Sequence, residues 1–372
     1  MQKNHHNLRP DYILFLIISI LVVWGILTVG TTSFPLSLQK YGNPWYYLSH
    51  QLVVLLIGIF LAVIFFKLPI NYLRKSAPFF FLLNIIFVGL VFLPKVGVEL
   101  GGGRRWISVF GIELIQPSEF LKVTFVLYLA SWLSQRINFS KKKRITFLFL
   151  PFLIVLAILL VLLMLQPDMS TLGIIFSIGI LMYFASGAPF WHIILMILGG
   201  GGMAAFLIKI APYRLKRIII LLNPEVDPLG IGYQLRQALI AIGSGKIFGI
   251  GSGFALGQSR QKFGFLPYPM TDSIFAIIGE ELGFVGCILL ITLFLIFFWR
   301  GLRISHSSSD FFQKLTALGI TSFILLQAFF NISGMIGLLP LSGIPLPFFS
   351  YGGSHLITEM IAIGILLNIS KR

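Results

Sequence analysis

Long apolar stretches, separated by shorter polar segments, run along the whole chain. Ten of them can cross a bilayer, because about 20 apolar residues span its hydrocarbon core as a helix. The sequence therefore predicts an all-α polytopic membrane protein with about ten transmembrane helices, forming a single membrane domain over residues 1–372. The predicted spans are residues 12–30, 47–67, 77–94, 114–135, 146–165, 169–187, 190–209, 272–299, 311–336 and 351–370. A long loop, about residues 210–271, separates spans seven and eight.

The composition narrows the class of protein. Of 372 residues, 57% are hydrophobic and only 11% are charged, and the mean hydropathy is +0.95. Soluble domains rarely reach these values, and apolar runs of helix length argue against a β-barrel. The single cysteine, Cys287, excludes a disulfide within one chain. The net charge of +16 first reflects the Lys- and Arg-rich cytoplasmic loops of membrane proteins, so it predicts no nucleic-acid partner.

Lysines and arginines also predict the orientation. The short loop between spans four and five contains four consecutive basic residues, 141–144. Because such loops stay in the cytoplasm, this loop and both termini are predicted to be cytoplasmic. On the outer side, positive residues concentrate in two loops, about 95–113 and 210–271. They indicate either a lipid-linked or polyanionic substrate on the outer face, or contact with anionic lipid headgroups.

The segment GGGRRWI, 101–107, carries the first candidate site residues. Three glycines allow backbone N–H groups to point at an anion. Arg104 and Arg105 are suited to bind phosphate oxygens through two parallel hydrogen bonds. Trp106 offers an apolar platform for a sugar face. The alternative is an interfacial loop whose tryptophan belongs to the aromatic belt of the membrane.

Ionisable residues follow within or beside the spans. Glu119 and Lys122 are spaced i, i+3 and therefore share one face of span four. Unpaired, each would be costly at membrane depth, so they must pair, line a wet cavity, or both. Asp168 lies at the outer junction of spans five and six. It either caps span six or forms a second carboxylate of the same outer cavity.

The long loop contains a short amphipathic helix, Tyr233 to Ile242, predicted to lie on the membrane. It presents Gln234, Arg236 and Gln237, whose amide and guanidinium groups suit sugar hydroxyls and pyrophosphate; the alternative is a plain interfacial helix. The nearby sequence Gly-Ser-Gly-Lys, 243–246, lacks the first glycine and the final Ser or Thr of a phosphate loop. We therefore predict no nucleotide site.

Asp272 opens span eight, and Lys262 precedes it in the loop. A carboxylate at a helix mouth is either a helix cap or a functional group, such as a general base. Two further acids, Glu280 and Glu281, lie inside the apolar run that follows. Ionisable residues at membrane depth suggest function by default.

The closing segment, about 337–360, is rich in Pro and Gly. Such a stretch indicates a re-entrant or broken helix, which is allowed only where it is buried or lines a cavity. Ser350 is a candidate for substrate contact, and Gly352, Gly353 and Ser354 suit an anion-binding turn. The alternative is a helix-start turn without a ligand.

Together and in this order, these motifs resemble the SEDS family (shape, elongation, division and sporulation), the FtsW/RodA polymerases of peptidoglycan. The resemblance covers nearly the whole chain. QSRQKF and the C-terminal LLNISKR favour the division branch, whereas SGIPLPF leaves a RodA-type elongation role open. The segments that carry the resemblance are GGGRRWI, QPSEFLK, QPD, NPEVDPLGIGYQLRQALIAIGSG, QSRQKF, FAIIGEELGFVG and PLPFFSYGGS.

The resemblance implies a glycosyltransferase that polymerises lipid II, the undecaprenyl-pyrophosphate disaccharide-pentapeptide, during septal cell-wall synthesis. It implies that Asp272 is the general base or a group that orients the acceptor. It also implies that the protein lies in the bacterial cytoplasmic (inner) membrane, with its active site on the extracytoplasmic face. It also implies partners: a class B penicillin-binding protein and other division proteins. A divalent cation, Mg²⁺ or Mn²⁺, is chemically reasonable at the pyrophosphate. Residues that match cavity positions of the family are Trp106, Glu119, Lys122, Asp168, Arg217, Gln234 and Gln237.

The chain departs from the family pattern beside Asp272. The family commonly has Glu and His in the preceding loop, where Tyr268, Pro269 and Met270 stand here. His355 likewise replaces a usual Ser. Two alternatives to the polymerase stay open. A transporter that flips lipid II would need polar residues reaching the cytoplasmic half of the spans, and a non-catalytic scaffold of the division machinery would need no base.

Overall fold

Twelve α-helices make up most of the computed structural model, which describes residues 9–94, 96–100, 103–109, 112–136, 143–210, 212–251, 259 and 261–371. Ten of them coincide with the ten predicted spans, and the other two, α8 and α9, lie in the long loop. The described helices are, in chain order, α1 (Tyr12–Tyr41), α2 (Tyr46–Lys67), α3 (Ile70–Leu90), α4 (Pro117–Arg136), α5 (Lys143–Leu165), α6 (Met169–Ala185), α7 (Phe190–Ile210), α8 (Pro212–Leu222), α9 (Ile231–Ser244), α10 (Ile274–Ser307), α11 (Phe311–Met335) and α12 (Gly353–Ile369).

Most of the ten long helices are apolar enough to lie in a membrane. Six candidate spans are both long enough and apolar enough to cross it: α1, α2, α3, α10, α11 and residues Leu148–Leu165 of α5. Shorter apolar helices are α6, α12 and Phe190–Met203 of α7. The remaining predicted span, α4, packs against α3, α6, α11 and α12 and buries most of its side chains. Because α4 is surrounded by protein, it can carry ionisable residues that lipid would not tolerate.

Both ends of the described chain lie at the same end of the helix bundle. The backbone N–H of Asp11 donates to Ser370 Oγ at 3.1 Å, and Arg300 forms an ion pair with Asp11. Asn368 Nδ2 donates to the carbonyl of Leu68, between α2 and α3, at 2.7 Å. This arrangement agrees with an even number of spans, as predicted.

The first helix extends well beyond its predicted span, 12–30. α1 has 30 residues, or about 45 Å at the usual helical rise, whereas the hydrocarbon core is about 30 Å thick. The additional part begins with Thr31, Thr32 and Ser33, which are buried in the protein. The predicted span ended before these polar residues. The helix continues because protein neighbours shield their side chains. It ends at Gly42, whose φ of 66° is the left-handed conformation typical of a helix end.

The loop between α3 and α4 contains a small antiparallel sheet that the sequence analysis did not predict. Its strands are β1 (Gly97–Leu100), β2 (Gly103–Val109) and β3 (Ile112–Ile115), in the order β1-β2-β3. The glycine-rich sequence suggested an irregular loop, and span four was predicted to start at residue 114. The sheet occupies residues up to 115, and α4 starts at Pro117.

Helix α10 is broken near its N-terminal end, whereas span eight was predicted without a break. Gly283 has φ 64° and ψ −161°, a conformation essentially restricted to glycine. The chain that follows α9 packs into the break: the N–H of Phe284 donates to the carbonyl of Lys246 at 2.9 Å. A side chain at Gly283 would collide with the backbone of Gly249. Residues 274–282 therefore form a short N-terminal segment of α10 that packs with the long loop.

Candidate active site

Asp272 lies in the turn that precedes α10. Ser273 occupies the N-cap position of that helix, so Asp272 is not the cap considered as an alternative. Its carboxylate accepts hydrogen bonds from Gln234 Nε2 and Thr271 Oγ1, each at 3.2 Å and on different oxygens. A carboxylate has about four acceptor positions, so Asp272 retains capacity to accept a hydrogen bond from a hydroxyl.

Three elements hold this turn in place. From α9, Gln234 reaches the Asp272 side chain. From α11, Asn331 Nδ2 donates to the backbone carbonyl of Asp272 at 2.7 Å. From the segment before α12, the Ser350 hydroxyl donates to the carbonyl of Thr271. The turn is thus positioned by parts of the chain far apart in sequence, which is the rigidity that a reactive group needs.

The environment of Asp272 favours its protonated form. Burial raises the pKa of this carboxyl above its ordinary value, while hydrogen bonds from Gln234 and Thr271 partly oppose the rise. A carboxylate whose pKa is raised toward the working pH is a stronger base than an ordinary one. The arrangement therefore suits transient acceptance of a proton.

The rest of α9 and the loop after it are bound to the start of α10. Gln237 Oε1 accepts a hydrogen bond from Gln261 Nε2 at 3.2 Å. Lys262 is buried, and its ammonium lies 3.2 Å from Glu281. Ser259 Oγ donates to Glu280 at 2.6 Å. The two acids that seemed to lie at membrane depth are therefore held by the long loop, and Lys262 sits in an ion pair.

In the small sheet, the two predicted phosphate ligands have different surroundings. The Arg105 guanidinium donates to the backbone carbonyls of Gln166 and Pro167, at 3.2 Å for Gln166, and so links the sheet to the junction of α5 and α6. Arg104 is more than half exposed and lies 3.8 Å from Glu99. Trp106 is half-buried on β2, opposite Val98 of β1. Of the two arginines, Arg104 is the more accessible to an anion.

Asp168 is the N-cap of α6, which was one of the two predicted alternatives. It accepts hydrogen bonds from the N–H of Thr171 at 3.3 Å and from the Thr171 hydroxyl at 2.9 Å. Ser118 of α4 donates to the same carboxylate at 3.0 Å. The side chain is buried, so Asp168 ties α6 to the start of α4.

Glu119 and Lys122 belong to a longer buried polar chain. The Lys122 ammonium lies 2.8 Å from Glu119 and donates to Gln327 Oε1 at 2.7 Å. Gln327 Nε2 then donates to Glu359 Oε1 at 3.0 Å. Glu359 also accepts the N–H of Phe348 at 2.8 Å. We call these four side chains, Glu119, Lys122, Gln327 and Glu359, the buried ionic chain. It joins α4, α11 and α12.

Comparisons with known proteins bear on this arrangement. The family profile FtsW/RodA/SpoVE, described as "Cell cycle protein", matches residues 11–372. The chain is 40% identical over 369 residues to "Stage V sporulation protein E" of Bacillus subtilis (strain 168), covering 97% of each chain. The chain belongs to the FtsW/RodA/SpoVE family. It is also 38% identical over 377 residues to the "Probable peptidoglycan glycosyltransferase FtsW" of Trichlorobacter lovleyi, covering 100% of this chain and 95% of that protein.

Solved structures share the fold of this FtsW/RodA/SpoVE chain. One, described as "Structural coordination of polymerization and crosslinking by a peptidoglycan synthase complex", superposes with a TM-score of 0.78, 23% identity and 97% coverage of both chains. The rod shape determining protein RodA of Thermus thermophilus gives a TM-score of 0.69 at 24% identity, covering 97% of this chain and 96% of that one. The predicted polytopic fold is thus confirmed.

The structure places the cavity positions implied by the FtsW/RodA/SpoVE resemblance in three groups. Gln234 lies directly on Asp272, and Gln237 is on the same helix. Arg217 of α8 instead donates to the carbonyl of Leu341 at 3.1 Å, in the segment before α12. The other positions, Trp106, Glu119, Lys122 and Asp168, lie on the sheet or inside the bundle.

Three polar residues inside the spans escaped the sequence analysis. Gln327 and Asn331 lie on α11 and Glu359 on α12, and all three are buried. The signal was present, because an acid or an amide within an apolar span must find a partner. The described residues contain no group of three or more His, Cys, Asp or Glu that could hold a metal ion.

Proposed function

We propose that this protein is a peptidoglycan glycosyltransferase that polymerises lipid II at the extracytoplasmic face of the bacterial cytoplasmic membrane. The observation that carries the proposal is the Asp272 turn. A carboxylate with a raised pKa is held by Gln234 and by the backbone contacts of Asn331 and Ser350. The names of relatives such as the Trichlorobacter lovleyi protein support the same activity.

In the proposed reaction, Asp272 accepts the proton of the 4-hydroxyl of an incoming GlcNAc. The hydroxyl oxygen attacks the anomeric carbon of the lipid-linked strand, and the bond to undecaprenyl pyrophosphate breaks as that group leaves. A Mg²⁺ or Mn²⁺ carried by the pyrophosphate is part of the proposal, because Mg²⁺ sites commonly combine one or two carboxylates with substrate phosphates. Arg104 is the exposed arginine available to a phosphate.

An apolar lateral cavity of about 290 Å³ supports a lipid-linked substrate. It lies between α2, α3, α4 and α12, and its walls include Phe87, Pro117, Phe120 and Thr358. Pro117 and Phe120 are close in sequence to Glu119, so the cavity extends along α4 from the level of Glu119. A polyprenyl chain would be chemically matched to such a surface.

The decisive experiment is polymerisation of fluorescent lipid II by the purified, reconstituted protein. We expect glycan strands with the wild type and none with Asp272→Ala. Asp310→Asn is the matched control, because Asp310 caps α11 by accepting the N–H of Phe312 at 3.0 Å, and asparagine also caps helices. Strand formation by Asp272→Ala at the wild-type rate would refute the assignment.

A lipid II flippase is the second candidate function. It is favoured by the broken α10 and by the buried ionic chain within the bundle. Against it, Glu119 and Lys122 lie within the first two turns of α4, and Glu359 lies six residues after Gly353, so all are within about 10 Å of the outer helix ends. Transbilayer movement of lipid II in vesicles without strand synthesis would favour the flippase.

The pathway and partners are also proposals. The relatives named FtsW and stage V sporulation protein E favour a septal or sporulation role over a RodA-type elongation role. We propose a class B penicillin-binding protein transpeptidase and other division proteins as partners. Rescue of a strain depleted of its division polymerase, but not of one depleted of its elongation polymerase, would support the septal role.

A further inference from the structure

A basic cavity opens at the opposite end of the bundle from Asp272, where both termini meet. It has a volume of about 460 Å³ and is lined by Arg9, Asp11 and Tyr12 of the N-terminal region, Arg300 and Arg303 of α10, and Ser370. The volume falls in the range of small-molecule sites, about 300–1,000 Å³. None of these residues takes part in the proposed reaction.

The charges of this cavity are not balanced. Asp11 is its one carboxylate, and both of its oxygens are engaged: one accepts the N–H of Leu14 at 2.9 Å and the other pairs with Arg300. Within the described part of the chain, neither Arg9 nor Arg303 pairs with a carboxylate. Among the described residues, two guanidinium groups of the cavity thus have no carboxylate partner.

Arg300 is fixed at the wall of the cavity. Asp11 pairs with its guanidinium, and its side chain stays 12% exposed. A purely structural ion pair between the termini and α10 would not account for Arg303, one turn further along α10, on the same cavity wall. Guanidinium groups match phosphate oxygens through paired N–H donors.

The aromatic residues indicate the depth of the cavity. Trp299 is 56% exposed, and the guanidinium carbons of Arg300 and Arg303 lie 5.4 Å and 5.8 Å from its ring centre. Tyr12, at the start of α1, is also exposed. Exposed Trp and Tyr at the ends of spans lie at the level of the lipid headgroups. A ligand in this cavity would therefore be at the membrane surface.

We infer that Arg9, Arg300 and Arg303 form a binding site for the phosphodiester headgroup of an anionic phospholipid in the leaflet that contains both termini. The acyl chains would extend along α10 past Trp299. Basic cavities between transmembrane helices at the cytoplasmic side are suited to such headgroups. The site is independent of lipid II polymerisation.

The test uses the tryptophan beside the site. The full chain is reconstituted in phosphatidylcholine nanodiscs with a minor fraction of either brominated phosphatidylglycerol or brominated phosphatidylcholine. Subtracting the signal of Trp299→Phe isolates quenching of Trp299. We expect several-fold stronger quenching by the brominated phosphatidylglycerol, and an affinity for this lipid, from its titration, that falls about fivefold for each guanidinium removed.

Arg303→Gln is the first variant, since Arg303 is exposed and its loss should leave the fold intact; Arg300→Gln is the second. Lys75→Gln is the matched control, an exposed basic residue near the same end that does not line the cavity. Equal quenching by both brominated lipids, or equal loss in Lys75→Gln and Arg303→Gln, would overturn the inference. Displacement by soluble glycerol phosphate at matched ionic strength would overturn the lipid assignment.

Discussion

Two regions of this molecule hold carboxylates in opposite ways. In the buried ionic chain, Glu119 pairs with the Lys122 ammonium, and Glu359 accepts hydrogen bonds from Gln327 and from the N–H of Phe348, with His355 Nδ1 at 3.4 Å. At the Asp272 turn, the side-chain donors among the described residues are two neutral groups, Gln234 and Thr271, and burial raises the pKa of the carboxyl. The carboxylates of the buried ionic chain hold helices together, whereas the Asp272 carboxylate can still accept a further hydrogen bond. Acids inside a membrane protein therefore have to be judged by their partners, not only by their depth.

Removal of the Lys122 charge is expected to give the largest effect on stability. Lys122→Met leaves Glu119 buried without its cation and Gln327 without its donor. Breaking a buried pair on one side costs about 3–5 kcal/mol, which a thermal melt in detergent would register as a large fall. The double variant Glu119→Gln, Lys122→Met should recover part of the loss. An unchanged melting temperature would show that water enters this region.

Asp272→Asn should separate activity from stability. General-base catalysis contributes about 10²–10⁴-fold, so we expect polymerisation to fall at least about 100-fold. Because the folded-state pKa of Asp272 is raised, the folded protein binds this proton more tightly than the unfolded chain does. The wild type therefore loses stability as the pH rises through that pKa. The asparagine variant does not lose this stability, because its side chain does not titrate. At neutral pH the variant should melt at or above the wild-type temperature. A markedly lower melting temperature would show that Asp272, like the acids of the buried ionic chain, stabilises the fold.

Asp168 should behave as a structural carboxylate. Asp168→Ala removes the cap of α6 and the acceptor of Ser118, at a cost of about 1–2 kcal/mol. Asp168→Asn should cost less, because asparagine also caps helices. We expect activity to follow the folded fraction in both variants. A rise in KM for lipid II with unchanged melting would instead assign Asp168 to the substrate cavity.

Arg104→Gln should give the smallest change in stability. The pair with Glu99 is exposed, with 3.8 Å between the charged atoms, and such pairs contribute about 0–1 kcal/mol. Thermal melting should barely change. Loss of polymerisation in this stable variant, compared with an unaffected Glu99→Gln, would identify Arg104 as a phosphate ligand; equal activity in both would remove it from the site.

The sequence predicted the helices of this fold because apolar length is a strong signal in a membrane protein. It did not predict that α1 continues through the polar residues Thr31 to Ser33, because the sequence does not show that other parts of the protein bury them. The break at Gly283 was missed for the same reason, since it depends on backbone contact with residues 246–249. Within the site, Gln234 was found by its place on an amphipathic helix. Asn331 and Glu359 were overlooked, although an amide or acid in an apolar run was itself the clue.

Besides the Gln234 contact to its carboxylate, the Asp272 turn is held by three bonds to its backbone. Asn331, Ser350 and the N–H of Tyr351 all bind backbone carbonyls, those of Asp272, Thr271 and Met270. None of these bonds depends on whether the Asp272 carboxyl carries a proton. In the proposed reaction, Asp272 gains and loses a proton at every addition of a sugar unit, and these three backbone bonds would not change with its charge. Successive turnovers would meet the same geometry, as processive synthesis requires.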